Sequence, residues 1–352
     1  MIDFIIFGRG LAASVIAHTL HEEKISFKII GDQTLSSCSK VAAGIWNPIV
    51  FKRLTKSWLA DDIVPFLNTF YNSCEQRVNK KLITQRQLLK PFTEEQEKNL
   101  WLKKASLELG EFLDDTIYDP NSQSLVNCKI GNQFGVVKQS GNLNMPEFLR
   151  TTDLFFKEDL VDEIFDHSKL EINSDFVLYK NIKAKNIIFC EGYLVKNNPL
   201  FNWIPLKPAK GEVLTISSPE LKLKDQILNK NGFLMDLEND TFKVGATYEW
   251  QELTEETTKK GLTELTDKLS QLITCNYTIT KHEAGVRPSS VDRRPIIGLH
   301  PKHTNLYVFN GLGTKGVMLA PYFAKKFVNF YLKIEDLPKD VNIDRFYSHY
   351  DH

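Results

Sequence analysis

The 352-residue sequence lacks the features that mark several classes of protein. No apolar stretch approaches the ~20 residues needed to cross a bilayer, which predicts a chain without a membrane partner. Lys plus Arg and Asp plus Glu number 44 each, so no net charge favours nucleic acid or an anionic membrane. The apolar N-terminus has no basic residue before it, contains Asp3 and is interrupted by Gly-Arg-Gly, which is not typical of a signal peptide.

Cysteine is scarce, odd in number and scattered, with no CxxC spacing and no His/Cys cluster suited to a metal. The five residues are Cys38, Cys74, Cys128, Cys190 and Cys275. This pattern predicts reduced thiols in a cytoplasmic protein without a metal site. The composition, 42% hydrophobic and 25% charged, is typical of a globular protein, and the length favours two domains over one core.

The N-terminus, by contrast, carries a strong local pattern. Ile2 to Phe7 is a short apolar run typical of a buried strand, and Gly8-Arg9-Gly10-Leu11-Ala12-Ala13 follows at once. Gly8 allows a tight turn, Gly10 lets the backbone approach a phosphate, and Ala13 is a small residue where helix packs on strand. The pattern predicts a dinucleotide pyrophosphate at a helix N-terminus.

A second apolar run, 27–30, precedes Gly31 and Asp32. Asp32 lies roughly 20 residues beyond the glycines, where an acidic residue commonly holds the adenosine ribose. The alternative is a βαβ unit with an ordinary glycine turn and no nucleotide.

Periodicity predicts the remaining elements. Helices are expected over 63–78, 94–113 and 253–272, and from Asn144-Met145-Pro146 onward, with Thr254 as a possible N-cap of the third. Strands are expected over 135–137, 159–165, 186–192, 211–216, 241–248 and 305–309. We expect the runs 211–216 and 241–248 to be antiparallel.

The C-terminal third repeats the strand–turn–helix arrangement. The turn Gly311-Leu312-Gly313-Thr314-Lys315-Gly316 follows a short strand and opens an apolar helix over 317–332. Three glycines in six residues favour close approach to a ligand, although an ordinary strand–helix corner is the alternative. One ligand contacted by both glycine turns would explain their presence at opposite ends of the chain.

These segments together resemble the FAD-dependent D-amino-acid-oxidase-like family, which includes glycine oxidase and monomeric sarcosine oxidase. The resemblance covers nearly the whole chain. Its motifs are 7–14, 37–48, 187–192 and 206–214, and most specifically the ordered pair 283–298 and 310–321.

The resemblance implies an α/β fold, in which a Rossmann-type FAD-binding domain carries an inserted α+β substrate domain built on an antiparallel sheet. The FAD-binding domain would comprise 1–75, 140–205 and 280–335, and the substrate domain 76–139 and 206–279, followed by a C-terminal tail at 336–352. Residues 284–287 contain no cysteine, so we expect FAD to be bound non-covalently. The implied cofactor-binding residues are Gly8, Gly10, Leu11, Ala12, Ala13, Asp32, Ala42, Ala43, Gly44, Ile45, Val161 (through its backbone, at the adenine), Glu191, Gly192, Arg287, Gly311, Gly313, Thr314, Lys315, Gly316 and Val317.

Family enzymes oxidise a C–N bond beside a carboxylate and transfer a hydride to flavin N5. The resemblance makes Arg287 the candidate for binding the substrate carboxylate, because a guanidinium offers two parallel hydrogen bonds. The structural alternative is that Arg287 pairs with a nearby carboxylate such as Asp292. Lys315 would add positive charge at the flavin, or else be solvated in its turn. Tyr248 would line the substrate pocket or belong to the core, and Arg53 would approach the same face. The residues identify no catalytic base.

The predicted function is therefore an FAD-dependent amine or amino-acid oxidase or dehydrogenase with a small-molecule substrate. Two alternatives stay open: a flavin domain that removes a carboxymethyl group from modified tRNA, and a non-catalytic binding protein on a flavoprotein fold. The balanced charge argues against a nucleic-acid partner. The oligomeric state is not indicated.

Overall fold

The structure is a computed structural model that describes residues 1–34, 38–120 and 125–350. Its strands, β1 to β22 in chain order, are Ile2–Phe7, Phe27–Ile30, Ile45–Trp46, Ile49–Val50, Thr55–Lys56, Ile83–Gln85, Gln87–Pro91, Leu125–Val126, Phe134–Val137, Gly141–Leu143, Leu160–Val161, Leu170–Ile172, Val177–Tyr179, Ile182–Phe189, Ala209–Ser217, Lys222–Leu223, Gln226–Asn229, Phe233–Asp236, Thr241–Gly245, Thr278–Arg287, Ile296–Leu299 and Leu306–Asn310. Its helices, α1 to α7, are Leu11–Glu22, Cys38–Val41, Ala60–Val78, Glu95–Ala105, Met145–Phe155, Lys259–Ser270 and Gly316–Tyr331.

The first sheet has a parallel centre. β1 pairs in parallel with β2 on one side and β14 on the other, β11 continues beyond β2, and β22 pairs in parallel with β14. Phe4, Ile5 and Ile6 of β1 are completely buried, which explains why this strand is a continuous apolar run rather than an alternating one. The parallel pairing brings the carboxyl ends of β1, β14 and β22 to one edge.

Helices α1, α3, α5 and α7 pack together beside this sheet. The Asn144 side chain accepts a hydrogen bond from the Glu147 backbone N–H and caps α5, with Pro146 in the first turn as predicted. His18 of α1 is fully buried; its Nε2 is 3.0 Å from the Thr152 hydroxyl of α5, and its Nδ1 is 2.8 Å from Arg77 of α3. Burial, with the Arg77 charge, lowers the pKa of His18 to about 3, so this histidine is a neutral structural link.

The second sheet is mainly antiparallel, in the order β20-β15-β19-β18-β17-β7-β9, with β17 and β7 parallel. Leu214 and Val244 on one face are fully buried in a core shared with Leu265 and Leu269 of α6. The predicted α/β fold with an inserted substrate domain on an antiparallel sheet is confirmed. The domain boundaries stay predictions; β20 crosses the one placed at 280.

Several element predictions differ from the structure, the first being the strand expected over 241–248, which ends at Gly245. The helix expected over 253–272 begins only at Lys259, because Thr258 caps it by accepting from the Gly261 N–H, whereas the Thr254 hydroxyl accepts from Lys210. The helix expected over 94–113 ends at Ala105, and the strand expected over 159–165 is reduced to Leu160–Val161.

Within the described ranges, no helix combines the length and apolarity required to cross a membrane.

Candidate cofactor and substrate site

A cavity of about 630 Å³ lies at the carboxyl ends of β1, β14 and β22. Its walls include the first glycine turn, the residues that follow β14, and the second glycine turn. Ligands of open α/β sheets bind at this edge, where strand ends and helix N-termini meet. The volume is within the range of sites that hold a cofactor.

The first glycine turn leaves no room for a Cβ at Gly8. Gly8 has φ +129°, and a Cβ there would lie 2.5 Å from the carbonyl oxygen of Cys190. Gly10 is the N-cap of α1, a helix for which the described residues provide no side-chain cap and no acidic group in the first turn. The Leu11 N–H donates to the Ser39 hydroxyl, 3.1 Å away. The remaining N–H groups of this helix N-terminus face a cavity, and such a site fits the pyrophosphate of FAD.

The two glycine turns meet in space. A Cβ on Gly316 would lie 2.9 Å from Cδ2 of Leu11. Gly311 and Gly313 have φ +73° and +55°, conformations that favour glycine, and the Asn310 amide donates to the Gly192 carbonyl at 2.9 Å. The sequence prediction that one ligand contacts both turns therefore has a common cavity to support it.

At the end of β2 the polar groups are already engaged with one another. Asp32 lines the cavity, but its Oδ1 accepts from both the backbone N–H and the hydroxyl of Thr34, each at 2.6 Å. The Val161 carbonyl accepts from the Gly31 N–H. Roles for Asp32 at the ribose and Val161 at the adenine stay predictions.

Arg9 is a feature of this end that the sequence analysis did not single out. It lines the cavity and forms ion pairs with Asp153 at 3.0 Å and Asp162 at 2.6 Å, tying the glycine turn to α5 and to the residue after β11. Its position between the two turn glycines is the only sequence signal, because both partners are more than 140 positions away.

The small-residue motif at 37–48 is only partly at the cavity, and its Ser37 lies outside the described residues. Cys38, Ser39 and Lys40 line the cavity. Gly44, at φ +72°, instead packs against β10, where a Cβ would lie 1.9 Å from the Leu143 carbonyl oxygen.

Twelve of the predicted site residues are not part of the cavity lining that the described residues form. They are Ala13, Ala42, Ala43, Gly44, Ile45, Val161, Tyr248, Arg287, Gly311, Thr314, Lys315 and Val317. The predicted residues in the lining are Gly8, Gly10, Leu11, Ala12, Asp32, Glu191, Gly192, Gly313 and Gly316. Tyr193 and Glu255 also line it, although no motif marked them in the sequence.

Glu191 is a buried carboxyl group in the cavity wall. Its side chain is 5% exposed and accepts from the Asn198 amide at 2.6 Å, with His167 Nε2 3.8 Å away. Burial raises the pKa of Glu191 to about 7, and the Asn198 hydrogen bond only partly opposes this shift. The carboxyl group thus changes charge near neutral pH.

This raised pKa predicts a pH-dependent gain in stability for Glu191→Gln. The folded-state pKa exceeds the ordinary value of 4.5, so the stability that the neutral form contributes is complete below about pH 4.5 and is lost as pH rises through about 7. Glutamine keeps an acceptor for Asn198 and never ionises. We expect the variant to exceed wild type by on the order of 2 kcal/mol at pH 8 and by much less at pH 5.

Urea denaturation at a fixed excess of FAD, at both pH values, measures the difference. Glu256→Gln, at an exposed position, is the control. A difference that is equal at both pH values would mean that Glu191 is already ionised throughout.

Arg287 ends β20, between Val286 and Pro288 of the cavity lining. Its Nη1 is 3.3 and 3.4 Å from the backbone carbonyls of Thr247 and Lys210. Its guanidinium also lies 4.5 Å from the ring centroid of Tyr248. The expected alternative, a pair with Asp292, is wrong, because Asp292 pairs with Arg345 at 2.9 Å. Burial lowers the pKa of Arg287, and no carboxylate of the described residues forms an ion pair with it.

Lys315 points inward. Its ammonium donates to the hydroxyl of Ser57, a residue 2% exposed, at 2.7 Å. Burial, and secondarily the Arg294 charge, lower its pKa. Tyr248 is 50% exposed, so it is not a core residue, and Thr314 and Arg53 are exposed.

Several known proteins are similar to this chain in sequence. A curated tRNA 5-methylaminomethyl-2-thiouridine biosynthesis bifunctional protein MnmC from Legionella pneumophila is 23% identical over 370 residues, covering 90% of this chain and 52% of that protein. Glycine oxidase from Bacillus subtilis is 24% identical over 172 residues, covering 45% of this chain and 46% of that protein. The chain spans about half the length of the curated relatives it matches.

A solved structure shares the fold along the whole chain. Iminodiacetate oxidase from Chelativorans sp. BNC1 superposes with a TM-score of 0.79 at 16% identity, covering 97% of this chain and 98% of that one. Residues 3–329 match the family described as DAO, FAD dependent oxidoreductase. The predictions of an FAD cofactor and of an enzyme are confirmed, and the chain belongs to the family of DAO-type FAD-dependent oxidoreductases.

Proposed function

We propose that this enzyme oxidises the C–N bond of an amino acid or secondary amine that carries a carboxylate next to the reacting carbon. Arg287 carries the proposal. It is a half-buried guanidinium beside the cofactor cavity for which the described residues supply no carboxylate partner. A buried charge without a counter-ion is costly, and an incoming carboxylate would complete two charge-assisted hydrogen bonds.

The surroundings of Arg287 suit this role. Its two hydrogen bonds to backbone carbonyls, at 3.3 and 3.4 Å, are long. Both are donated by Nη1, which is one of the three nitrogen atoms that carry the five N–H groups of a guanidinium. A Cβ at Gly211 would lie 1.9 Å from Nη2, so the glycine makes the space that the guanidinium occupies. These contacts fix the side chain and leave donors for a ligand.

The other groups would orient and stabilise rather than react. Bound FAD would supply the hydride acceptor, flavin N5. The inward Lys315 and the N-terminus of α7 place positive charge at the second glycine turn, suited to holding a developing negative charge. We assign no general base, and the amine would have to reach the site in its neutral form.

The relatives' names agree on one chemical pattern. Glycine and iminodiacetate each have an amine nitrogen one carbon from a carboxylate. An MnmC-like action on tRNA is the competing function, because that protein matches 90% of this chain. Glu255 lines the cavity and is one of four glutamates between positions 249 and 256, and this concentration of negative charge disfavours a polyanion there.

Anaerobic flavin bleaching tests the proposal. The oxidised-flavin absorbance of the holoenzyme should fall on mixing with glycine, an N-substituted glycine or another α-amino acid, and not with the matching amines that lack a carboxylate. Bleaching by the carboxylate-free amines alone would contradict the proposal. Bleaching only by carboxymethylaminomethyl-modified tRNA would establish the competing function.

A further inference from the structure

Residues 247–258 form a segment, here called the flap, that links β19 to α6. The flap contacts both Arg287 and the wall of the cofactor cavity. At its start, the Thr247 carbonyl and the Tyr248 ring contact Arg287, and Trp250 stacks on Tyr248 at 5.9 Å between ring centroids. Further along, Glu255 lines the cofactor cavity. The Leu253 carbonyl accepts from the Tyr193 hydroxyl, which belongs to another part of the cavity wall.

Lys210 of β15 binds the flap through both its backbone and its ammonium group. It is 1% exposed, and its backbone exchanges two hydrogen bonds with Glu249, at 2.8 and 3.0 Å. Its ammonium donates to the Thr254 hydroxyl at 3.0 Å and lies 3.6 Å from a carboxylate oxygen of Glu252. Its carbonyl is one of the two that accept from Arg287. One buried lysine thus links the flap to the proposed carboxylate-binding residue.

Glu212, two residues further along β15, holds both ends of the flap. Its backbone N–H donates to the Thr247 hydroxyl, and its carboxylate accepts from the backbone N–H and the hydroxyl of Thr258. The residue is 3% exposed. Gly261 of α6 permits this approach, since a Cβ there would lie 2.3 Å from the carboxylate carbon.

These two charges are energetically tied to the closed position of the flap. A buried ammonium or carboxylate is destabilising unless its hydrogen bonds are satisfied, and the hydrogen bonds of these two groups are made to Thr254 and Thr258 of the flap, while Nε2 of His282, outside the flap, lies 2.7 Å from the Glu212 carboxylate. Lys210 and Glu212 are also 4.0 Å apart, too far for a strong direct hydrogen bond to replace them. Lifting the flap would leave the Lys210 ammonium without Thr254 and the Glu212 carboxylate without Thr258.

We propose that Lys210 and Glu212 are positioning residues that keep the flap closed over the FAD cavity and thereby hold Arg287 in place. The effect on Arg287 rests on the proposed function; the effect on FAD retention does not. Neither residue touches substrate or cofactor in this assignment.

The test compares Lys210→Met with Thr254→Val in the FAD-loaded enzyme. A glutamate-specific protease should cut the flap at Glu249, Glu252, Glu255 or Glu256 about tenfold faster in Lys210→Met, because local opening costs less. FAD release, followed by flavin fluorescence, should accelerate to a similar degree. Thr254→Val removes a hydroxyl from an exposed residue and should act in the same direction with a smaller effect.

Lys243→Met is the matched control. Lys243 is a lysine of the same sheet, 8% exposed and 3.8 Å from Glu283, with no described hydrogen bond or ion pair to the flap. It should leave flap cleavage and FAD release unchanged. For a substrate found by flavin bleaching, Lys210→Met should raise KM about tenfold with a much smaller change in kcat.

The proposal is overturned if Lys210→Met and Thr254→Val both show flap cleavage and FAD release at the wild-type rates. The same is true if Lys243→Met accelerates both processes equally. Protease and flavin readouts need no substrate, so they decide the flap proposal even if no amine bleaches the enzyme.

Discussion

Replacing Arg287 with methionine should lower kcat/KM for a carboxylate-bearing amine by about a thousandfold while FAD remains bound. The physical reason is the loss of two charge-assisted hydrogen bonds in a half-buried position. Methionine retains much of the side-chain volume beside Tyr248. Steady-state kinetics and the ratio of flavin to protein absorbance measure the two effects separately.

Gly211→Ala approaches the same residue from the other side. The new Cβ would lie 1.9 Å from Nη2 of Arg287, and because the guanidinium is the mobile end of a side chain, it should move rather than unfold the sheet. We expect a raised KM and a normal flavin content. Arg345→Met, which breaks the pair with Asp292 instead, is the control for loss of an arginine. Full activity of Arg287→Met on a carboxylate substrate would remove Arg287 from the mechanism.

Gly8→Ala should lower the affinity for FAD by about a hundredfold or more. A Cβ at this position meets the Cys190 carbonyl at 2.5 Å, and φ +129° is strained for alanine. Relief requires the first glycine turn to move away from β14, which alters the N-terminus of α1 at the cavity, where the pyrophosphate is predicted to bind. Titration of the FAD-free protein with FAD, followed by flavin fluorescence, gives the affinity.

Gly131→Ala is the matched control for backbone strain. Gly131 has φ +71°, is not part of the cavity lining, and has space for a Cβ, with the nearest atom 3.6 Å away. It should lower stability slightly without changing FAD affinity. If the two variants weakened FAD binding equally, global destabilisation rather than the geometry of the turn would be responsible.

The sequence predicted the elements whose information is local. β1, the turn at Gly8 and Gly10, and α1 follow from an apolar run, two glycines and a helical pattern within 22 residues. The predicted start of α6 was wrong because Thr254 and Thr258 look equally suitable as N-caps in the sequence. The choice between them depends on Lys210, which binds the Thr254 hydroxyl from 44 positions away in the chain.

The site was less predictable for the same reason. Arg9 pairs with Asp153 and Asp162, which are far from it in the sequence. Asp292 likewise pairs with the distant Arg345 rather than with Arg287. Burial of Glu191 and Lys315 is likewise a property of the assembled protein, and so are their altered pKa values. The sequence motifs identified candidate site residues, whereas the ion-pair partners and the burial of those residues could be identified only in the structure.

The contact between Leu11 and Gly316 has a consequence for biosynthesis. The two turns that it joins lie nearly the whole length of the chain apart, so the cradle for FAD is incomplete until the residues around Gly316 have left the ribosome. Contacts of such long sequence separation form late because closing the intervening loop costs entropy. The parallel sheet of a nascent chain therefore begins to form before this cavity is complete, and capture of FAD there would be a late step in maturation.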